Sequence, residues 1–166
     1  MKILGIDPGL AKIGWGIIET SENKKTVIVE YGCLSTSKSE SMACRLGHIY
    51  RGISEIINKF SPEEAAVEEI FFASNAKTAI NVAQARGVIV VALGNSGIRV
   101  NGYTPLEIKQ ALVGYGRARK EQVQYMVQNF LDMDRIPSSD HAADALAAAL
   151  CHESSRKLKV IMTGKE

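Results

Sequence analysis

Three short apolar segments open the chain and predict three β-strands: Lys2–Asp7, Ile13–Glu19 and Thr26–Gly32. The first segment ends in Asp7-Pro8-Gly9, a sequence typical of a turn. Only the polar stretch Ser21–Lys25 separates the second segment from the third, and a short polar connection of this kind favours a hairpin. We therefore expect the sheet to begin with three antiparallel strands.

From Met42 onwards the apolar residues recur every three or four positions, which predicts a helix over Met42–Phe60. Strands and helices then alternate. We predict strands at Ala65–Phe72 and Ile98–Tyr103, a helix from about Asn75 to Leu93, and later helices that begin at Thr104-Pro105, span Lys120–Leu131 and follow Pro137-Ser138-Ser139. This order favours an α/β fold, with a five-stranded mixed sheet and helices on both faces.

The composition is that of one globular domain. The 166 residues are 46% hydrophobic and 23% charged, and the formal net charge of +2 gives no indication of the partner. The three cysteines have no metal-ligand spacing and are typical of reduced intracellular thiols. Neither a secretory signal nor an apolar stretch long enough to cross a membrane is recognisable, so we expect a cytoplasmic protein. We expect one domain over residues 1–155 and a basic C-terminal tail over residues 156–166, whose order the sequence leaves open.

Three acidic residues lie in apolar surroundings, where an unpaired charge is costly. Asp7 ends the first strand, Glu68 lies within the fourth, and Asp144 lies in a helix otherwise made of small apolar residues. By itself, Asp7 is explained as a turn former and Glu68 as a solvent-facing residue of an edge strand. A helix packed across the sheet would bring all three together. Such a cluster would suit Mg²⁺, of which two ions about 4 Å apart can promote phosphodiester hydrolysis.

Two residues close to Asp144 in the sequence are candidates for the same site. His141 precedes Asp144 by three residues and shares its helix face, while Asp140 precedes it by four. Both are also explained by their position at the start of a helix, where Asp140 would complement the helix dipole. The chain contains no Walker A, GxSxG or CxxC motif. The sequence therefore indicates acidic residues rather than a serine or cysteine nucleophile.

Five motifs, in order along the chain, resemble the RuvC family of bacterial Holliday junction resolvases, whose fold is ribonuclease H-like. They are Gly5–Gly9, Ala66–Phe71, Asn75–Lys77 with Gln84–Gly87, Lys109–Gly114 with Lys120–Val123, and Asp140–Leu146. The resemblance implies a homodimer that cuts four-way DNA junctions by two symmetric nicks, in recombination and DNA repair. It also implies Mg²⁺, two ions per active site with Mn²⁺ able to substitute, and the branch-migration complex RuvA–RuvB as a partner.

The resemblance assigns both catalysis and metal binding to four residues: Asp7, Glu68, His141 and Asp144. Many family members carry Asp at the position of His141. This departure leaves open whether His141 is a metal ligand, a proton donor or both. It also makes Asp140 an alternative for the fourth position.

Basic and aromatic residues are the candidates for DNA contacts. Four basic residues lie within a twelve-residue stretch that contains no acid: Lys109, Arg117, Arg119 and Lys120. By themselves they are explained as a solvated charge run, but the resemblance directs Lys109 and Lys120 to phosphates near the metals and adds Lys77. Phe71 would by default pack in the core, whereas the resemblance favours its stacking on an unpaired base at the junction centre.

The helix over Ala76–Leu93 carries apolar residues on more than one side, which favours a role in a dimer interface. Two other interpretations stay open: another ribonuclease H-like nuclease that acts on RNA, and a non-catalytic module that binds DNA junctions. A sugar-kinase-like ATPase is not expected, because it would need a second nucleotide-binding domain for which these 166 residues leave no room.

Overall fold

The computed structural model describes residues 1–21, 24–69 and 76–163. In chain order its elements are β1 (Lys2–Asp7), β2 (Lys12–Ser21), β3 (Lys24–Ser35), α1 (Met42–Phe60), β4 (Glu64–Glu68), α2 (Ala76–Asn95), β5 (Arg99–Tyr103), α3 (Pro105–Val113), α4 (Lys120–Phe130) and α5 (Asp140–Thr163). Across these residues the strands form one sheet of order β3-β2-β1-β4-β5. The first three strands are antiparallel, and β4 pairs in parallel with β1 and β5. The predicted mixed sheet and its opening hairpin are therefore confirmed.

Alternating side chains of the strands pack into two separate hydrophobic cores. Leu4 and Ile6 pack with α1 and α2 on one face of the sheet, while Ile3 packs with α3, α4 and α5 on the other. This division follows from the two-residue period of a strand, which sends neighbouring side chains to opposite faces. The prediction of helices on both faces is confirmed.

Most predicted boundaries agree with the structure to within a few residues, and α1 has the bounds that its apolar spacing predicts. The start of α3 is a capping box: Thr104 Oγ1 accepts from the backbone N–H of Glu107, whose carboxylate accepts from the backbone N–H of Thr104. The fourth strand was predicted too long, because β4 ends at Glu68. Glu69 still donates its N–H to the Tyr103 carbonyl, and residues 70–72 of the prediction lie outside the described residues.

The last helix passes through the boundary expected at residue 155 and continues to Thr163. Of the segment expected as a basic tail, residues 156–163 are helical and continue α5. Two ion pairs hold this part of the helix: Lys157 Nζ lies 2.5 Å from Glu153 Oε1, and Arg156 Nε lies 3.6 Å from Glu64 Oε1. Residues 164–166 lie outside the described residues.

Glycines allow α5 to lie directly on the sheet. A Cβ atom at Gly5 of β1 would lie 1.9 Å from the Ala145 carbonyl oxygen, and one at Gly14 of β2 would lie 1.8 Å from the His141 carbonyl oxygen. No side chain larger than hydrogen fits at such distances from backbone atoms. This close contact places the first turns of α5 against the end of β1, where Asp7 lies.

Candidate active site

Four predicted residues meet where β1, β4 and α5 come together. Because β1 and β4 are parallel neighbours, Asp7 and Glu68 end their strands at the same edge of the sheet. Across that edge, His141 Nδ1 on α5 lies 2.6 Å from Asp7 Oδ2, although 134 residues separate them in the sequence. Asp144, one turn further along α5, lies close enough to raise the pKa values of both Asp7 and Glu68. The structure thus brings the predicted group together.

The carboxylates of this cluster are half-buried and repel one another. Burial is the main cause that raises the pKa of Glu68 to about 8, and the negative charges of Asp7 and Asp144 raise it further. Burial also raises the pKa of Asp7, against the opposing effect of its contact with His141. A bound cation would lower these raised pKa values, because it relieves the repulsion between the carboxylates, and its binding would release their protons to solvent.

Lys120 places a positive charge beside the cluster. Its Nζ lies 2.9 Å from Asp144 Oδ2 and 3.4 Å from Asp140 Oδ2. Partial burial opposes the charged form of Lys120, but the contacts with Asp144 and Asp140 outweigh it and raise the pKa. Asp140 also accepts a hydrogen bond from Gln124 Nε2 at 2.9 Å, so its exposed side chain is directed to α4. His141, and not Asp140, is therefore the partner of Asp7.

A cavity of about 240 Å³ opens beside the cluster, between the end of β4 and the helices α3, α4 and α5. Its lining combines two acids, two lysines and apolar walls: Glu68, Pro105, Ile108, Lys109, Lys120, Val123, Asp144 and Ala147. Lys109 and Lys120 thus face the same opening as Glu68 and Asp144. The apolar walls were not expected from the sequence, since the helical spacing of Ile108 and Val123 indicates only core positions.

Of the remaining predicted DNA-binding residues, Arg117 and Arg119 are not among those that line the cavity. Arg117 and Arg119 are exposed in the connection between α3 and α4, which begins with Gly114 in the left-handed region at φ +88°. Lys77 lies in the first turn of α2, and nothing is described of its side chain. Phe71 lies outside the described residues. The two arginines stay predictions supported by their exposure on a basic connection.

The donor groups of the cluster fit a divalent cation. Three carboxylates and one imidazole form an oxygen-rich set, which suits Mg²⁺, while the imidazole also suits Mn²⁺. Among the residues that the structure describes, no three acidic, histidine or cysteine side chains surround a single point as metal ligands would. The groups instead pair with each other and with Lys120, as in the contacts of Asp7 with His141 and of Asp144 with Lys120.

Acidic side chains at the ends of parallel strands, beneath a helix that crosses this five-stranded sheet, define a ribonuclease H-like nuclease. Residues 3–152 match the model of one family, "Crossover junction endodeoxyribonuclease RuvC". The chain belongs to the RuvC family of crossover junction endodeoxyribonucleases, and it is accordingly a divalent-metal-dependent nuclease.

Individual relatives agree with this assignment. The crossover junction endodeoxyribonuclease RuvC of Caldanaerobacter subterraneus is 48% identical over 158 residues, which cover 95% of each chain. The structure of T. thermophilus RuvC in complex with a Holliday junction substrate superposes with a TM-score of 0.91 at 36% identity, over 96% of each chain. The yeast mitochondrial Holliday junction resolvase Ydc2 shares the fold, with a TM-score of 0.64 at 14% identity over 95% of this chain and 81% of its own. In the described part of this chain, no helix combines the length and apolar character needed to span a membrane.

Proposed function

We propose that this protein resolves Holliday junctions by paired, symmetric nicks, in homologous recombination and DNA repair. The observation that carries the proposal is the cluster of Asp7, Glu68, His141 and Asp144 beside a cavity that also presents two lysines. Phosphodiester hydrolysis requires acidic groups that hold cations, next to basic groups that hold phosphates. The relative solved with a Holliday junction supports the choice of a four-way DNA substrate.

The carboxylates of Asp7, Glu68 and Asp144 and the imidazole of His141 are the groups that would hold Mg²⁺, with Mn²⁺ able to replace it. When bound, a pair of such ions supplies an activated water and stabilises the leaving oxygen. The contact with Asp7 fixes His141 through Nδ1 and leaves Nε2 for a second partner. Both roles of His141, metal ligand and proton donor, are consistent with this arrangement.

Lys109 and Lys120 would bind the phosphates that flank the cut. Lys120 contacts Asp144 in this structure, and a carboxylate that coordinates a cation has less need of an ammonium partner. Lys120 then becomes available to a DNA phosphate without leaving the site. Arg117 and Arg119, exposed on the adjoining connection, would extend the basic surface along the DNA backbone, and Lys77 and Phe71 keep their predicted roles at the junction.

A homodimer would give the two symmetric nicks, and α2 is the helix that we place at its interface. Ile80 and Val91 on this helix are 58% and 54% exposed, and the exposed small residues Ala83 and Gly87 lie on the same face. The opposite face, with Ala85 and Ile89, is buried against the sheet. An apolar stripe with small residues at its centre allows two copies of the helix to cross closely.

We further propose a cytoplasmic location and RuvA–RuvB as partners, on family resemblance alone.

The proposal is tested by incubating the protein and Mg²⁺ with a synthetic four-way junction, a linear duplex and an RNA–DNA hybrid of related sequence. Denaturing gels should show two nicks at symmetric positions in the junction, with the other two substrates uncut. Preferred cleavage of the hybrid would instead support the RNA-directed alternative. Binding of the junction without cleavage, at any divalent-metal concentration, would support a non-catalytic module.

A further inference from the structure

Arg86 contacts the backbone of Glu68 from the face of the sheet opposite to the cavity. Arg86, half-buried on α2, donates a hydrogen bond from Nε to the backbone carbonyl oxygen of Glu68 at 3.3 Å. Helix α2 packs on the face covered by α1, whereas the side chain of Glu68 lines the cavity on the face covered by α3, α4 and α5. The backbone of Glu68 is thus held from one face while its carboxylate acts at the other.

The strand pairing explains why the carbonyl of Glu68 needs this donor. The paired register of β1 with β4 ends at Ile6 and Val67, so Glu68 lies one residue beyond it. The residue that follows Asp7 at the end of β1 is Pro8, which has no N–H to donate to that carbonyl. A partly buried carbonyl without a partner is unfavourable, and a guanidinium donor makes a strong and directional bond.

We propose that Arg86 is a positioning residue, which fixes the end of β4 so that the Glu68 carboxylate meets Asp7 and Asp144, and which transmits the packing of α2 to the metal site. The proposal rests on the proposed function for the identity of Glu68 as a metal ligand and of α2 as the dimer helix. Arg86 lies on α2 between the exposed Ala83 and Gly87 on one side and the buried Ala85 and Ile89 on the other. A change in the position of the helix would therefore reach the backbone of Glu68 through the hydrogen bond of Arg86.

The first test replaces Arg86 in the full chain and measures Mn²⁺ binding without DNA, from the electron paramagnetic resonance signal of free Mn²⁺. Arg86→Met keeps the apolar stem but removes the donor, whereas Arg86→Lys keeps a charged donor. Arg86→Met should weaken Mn²⁺ binding about tenfold, the loss typical when an outer partner of a metal ligand is removed, and Arg86→Lys should recover part of it. Arg51→Met, which removes an exposed arginine of the neighbouring α1, is the control and should bind as wild type.

Three results would overturn the proposal: Mn²⁺ affinity of Arg86→Met within about twofold of wild type, a loss of the same size in Arg51→Met, or equal losses in Arg86→Met and Arg86→Lys. Thermal unfolding of each variant shows whether it is folded under the conditions of the titration. If Arg86→Met is unfolded, the comparison of Arg86→Lys with the wild type provides the test. A wild-type protein that neither binds Mn²⁺ nor cuts the junction would refute the proposed function. If the wild type does both and Arg86→Met binds Mn²⁺ equally well, only this inference is refuted.

The second test concerns the link to the dimer. Val91→Glu places a charge on the exposed apolar face of α2 and should yield monomers in sedimentation analysis. If Arg86 transmits the packing of α2, Val91→Glu weakens Mn²⁺ binding in the wild-type background and has a smaller further effect in Arg86→Met. Strictly additive effects, or undiminished Mn²⁺ binding by the Val91→Glu monomer, would contradict the transmission.

Discussion

Replacing Glu68 by glutamine should stabilise the fold when no divalent metal is present, even though it removes a group that we propose to be catalytic. The structure raises the pKa of Glu68 from its ordinary value of 4.5 to about 8. An acid whose pKa is higher in the folded protein opposes folding increasingly as the pH rises from the unfolded value towards the folded one. The stability of the wild type should therefore fall between about pH 4.5 and pH 8 in EDTA, and this contribution is absent from Glu68→Gln.

The size of the effect follows from the same values. At pH 7 Glu68 is ionised in the unfolded chain, whereas it stays mostly protonated in the folded chain. The interval from the unfolded pKa of 4.5 to pH 7 corresponds to about 3 kcal/mol, at 1.36 kcal/mol for each pKa unit. The side chain keeps some contact with solvent, so we expect roughly 1–3 kcal/mol after screening. Glu68→Gln should exceed the wild type by that amount at pH 7, and the two proteins should converge near pH 4.5.

Urea unfolding in EDTA from pH 4.5 to pH 8.5 provides the measurement. Glu69→Gln, which alters the exposed neighbouring acid, is the matched control and should follow the wild type. Added Mg²⁺ should stabilise the wild type, by about 1.4 kcal/mol at ten times its dissociation constant, and should stabilise Glu68→Gln much less. A Glu68→Gln protein that is less stable than the wild type at pH 8 in EDTA would refute the argument, as would parallel pH profiles of the two proteins.

Three further predictions concern cleavage and DNA binding. Asp7→Asn and Asp144→Asn should each slow single-turnover nicking at least about a hundredfold, beyond the loss typical of an outer partner, and leave junction affinity in Ca²⁺ largely intact; near-normal nicking would remove that residue from the site. His141→Ala should cripple nicking and His141→Asp should retain part of it. Full nicking activity of His141→Ala would remove His141 from the site. Lys109→Ala and Lys120→Ala should each lower the slope of log affinity against log salt by about one; a defect confined to turnover would instead place the lysines at the transition state.

Local features of the sequence predicted most of the elements, because each is set by neighbouring residues. The spacing of apolar residues predicts the bounds of α1, and Thr104-Pro105 predicts the start of α3. The end of β4 was not predictable, since Ile70-Phe71-Phe72 continues the apolar run that indicates a strand. Past residue 155, α5 contacts β4 through Arg156 and Glu64, and such a long-range pair leaves no local pattern.

The assembly of the active site could not be obtained from residue spacing. Asp7 and His141 lie 134 positions apart, and periodicity says only that one ends a strand and the other begins a helix. Resemblance to a family supplied their association, and the structure supplies the physical reason, which is the close approach of α5 over Gly5 and Gly14. The contact of Arg86 with the carbonyl of Glu68 could likewise not be predicted from the sequence, because a backbone acceptor has no sequence signature.

The central claim is that Asp7, Glu68, His141 and Asp144 together hold the catalytic metal. Anomalous diffraction from crystals of the wild-type protein soaked in Mn²⁺ tests it most directly, with Asp7→Asn crystals treated in the same way as the comparison. We predict a Mn²⁺ peak among these four side chains, with Lys120 withdrawn from Asp144, and a much weaker peak in Asp7→Asn. A fully occupied Mn²⁺ site elsewhere in the chain, with the contacts of His141 to Asp7 and of Lys120 to Asp144 unchanged, would contradict the account.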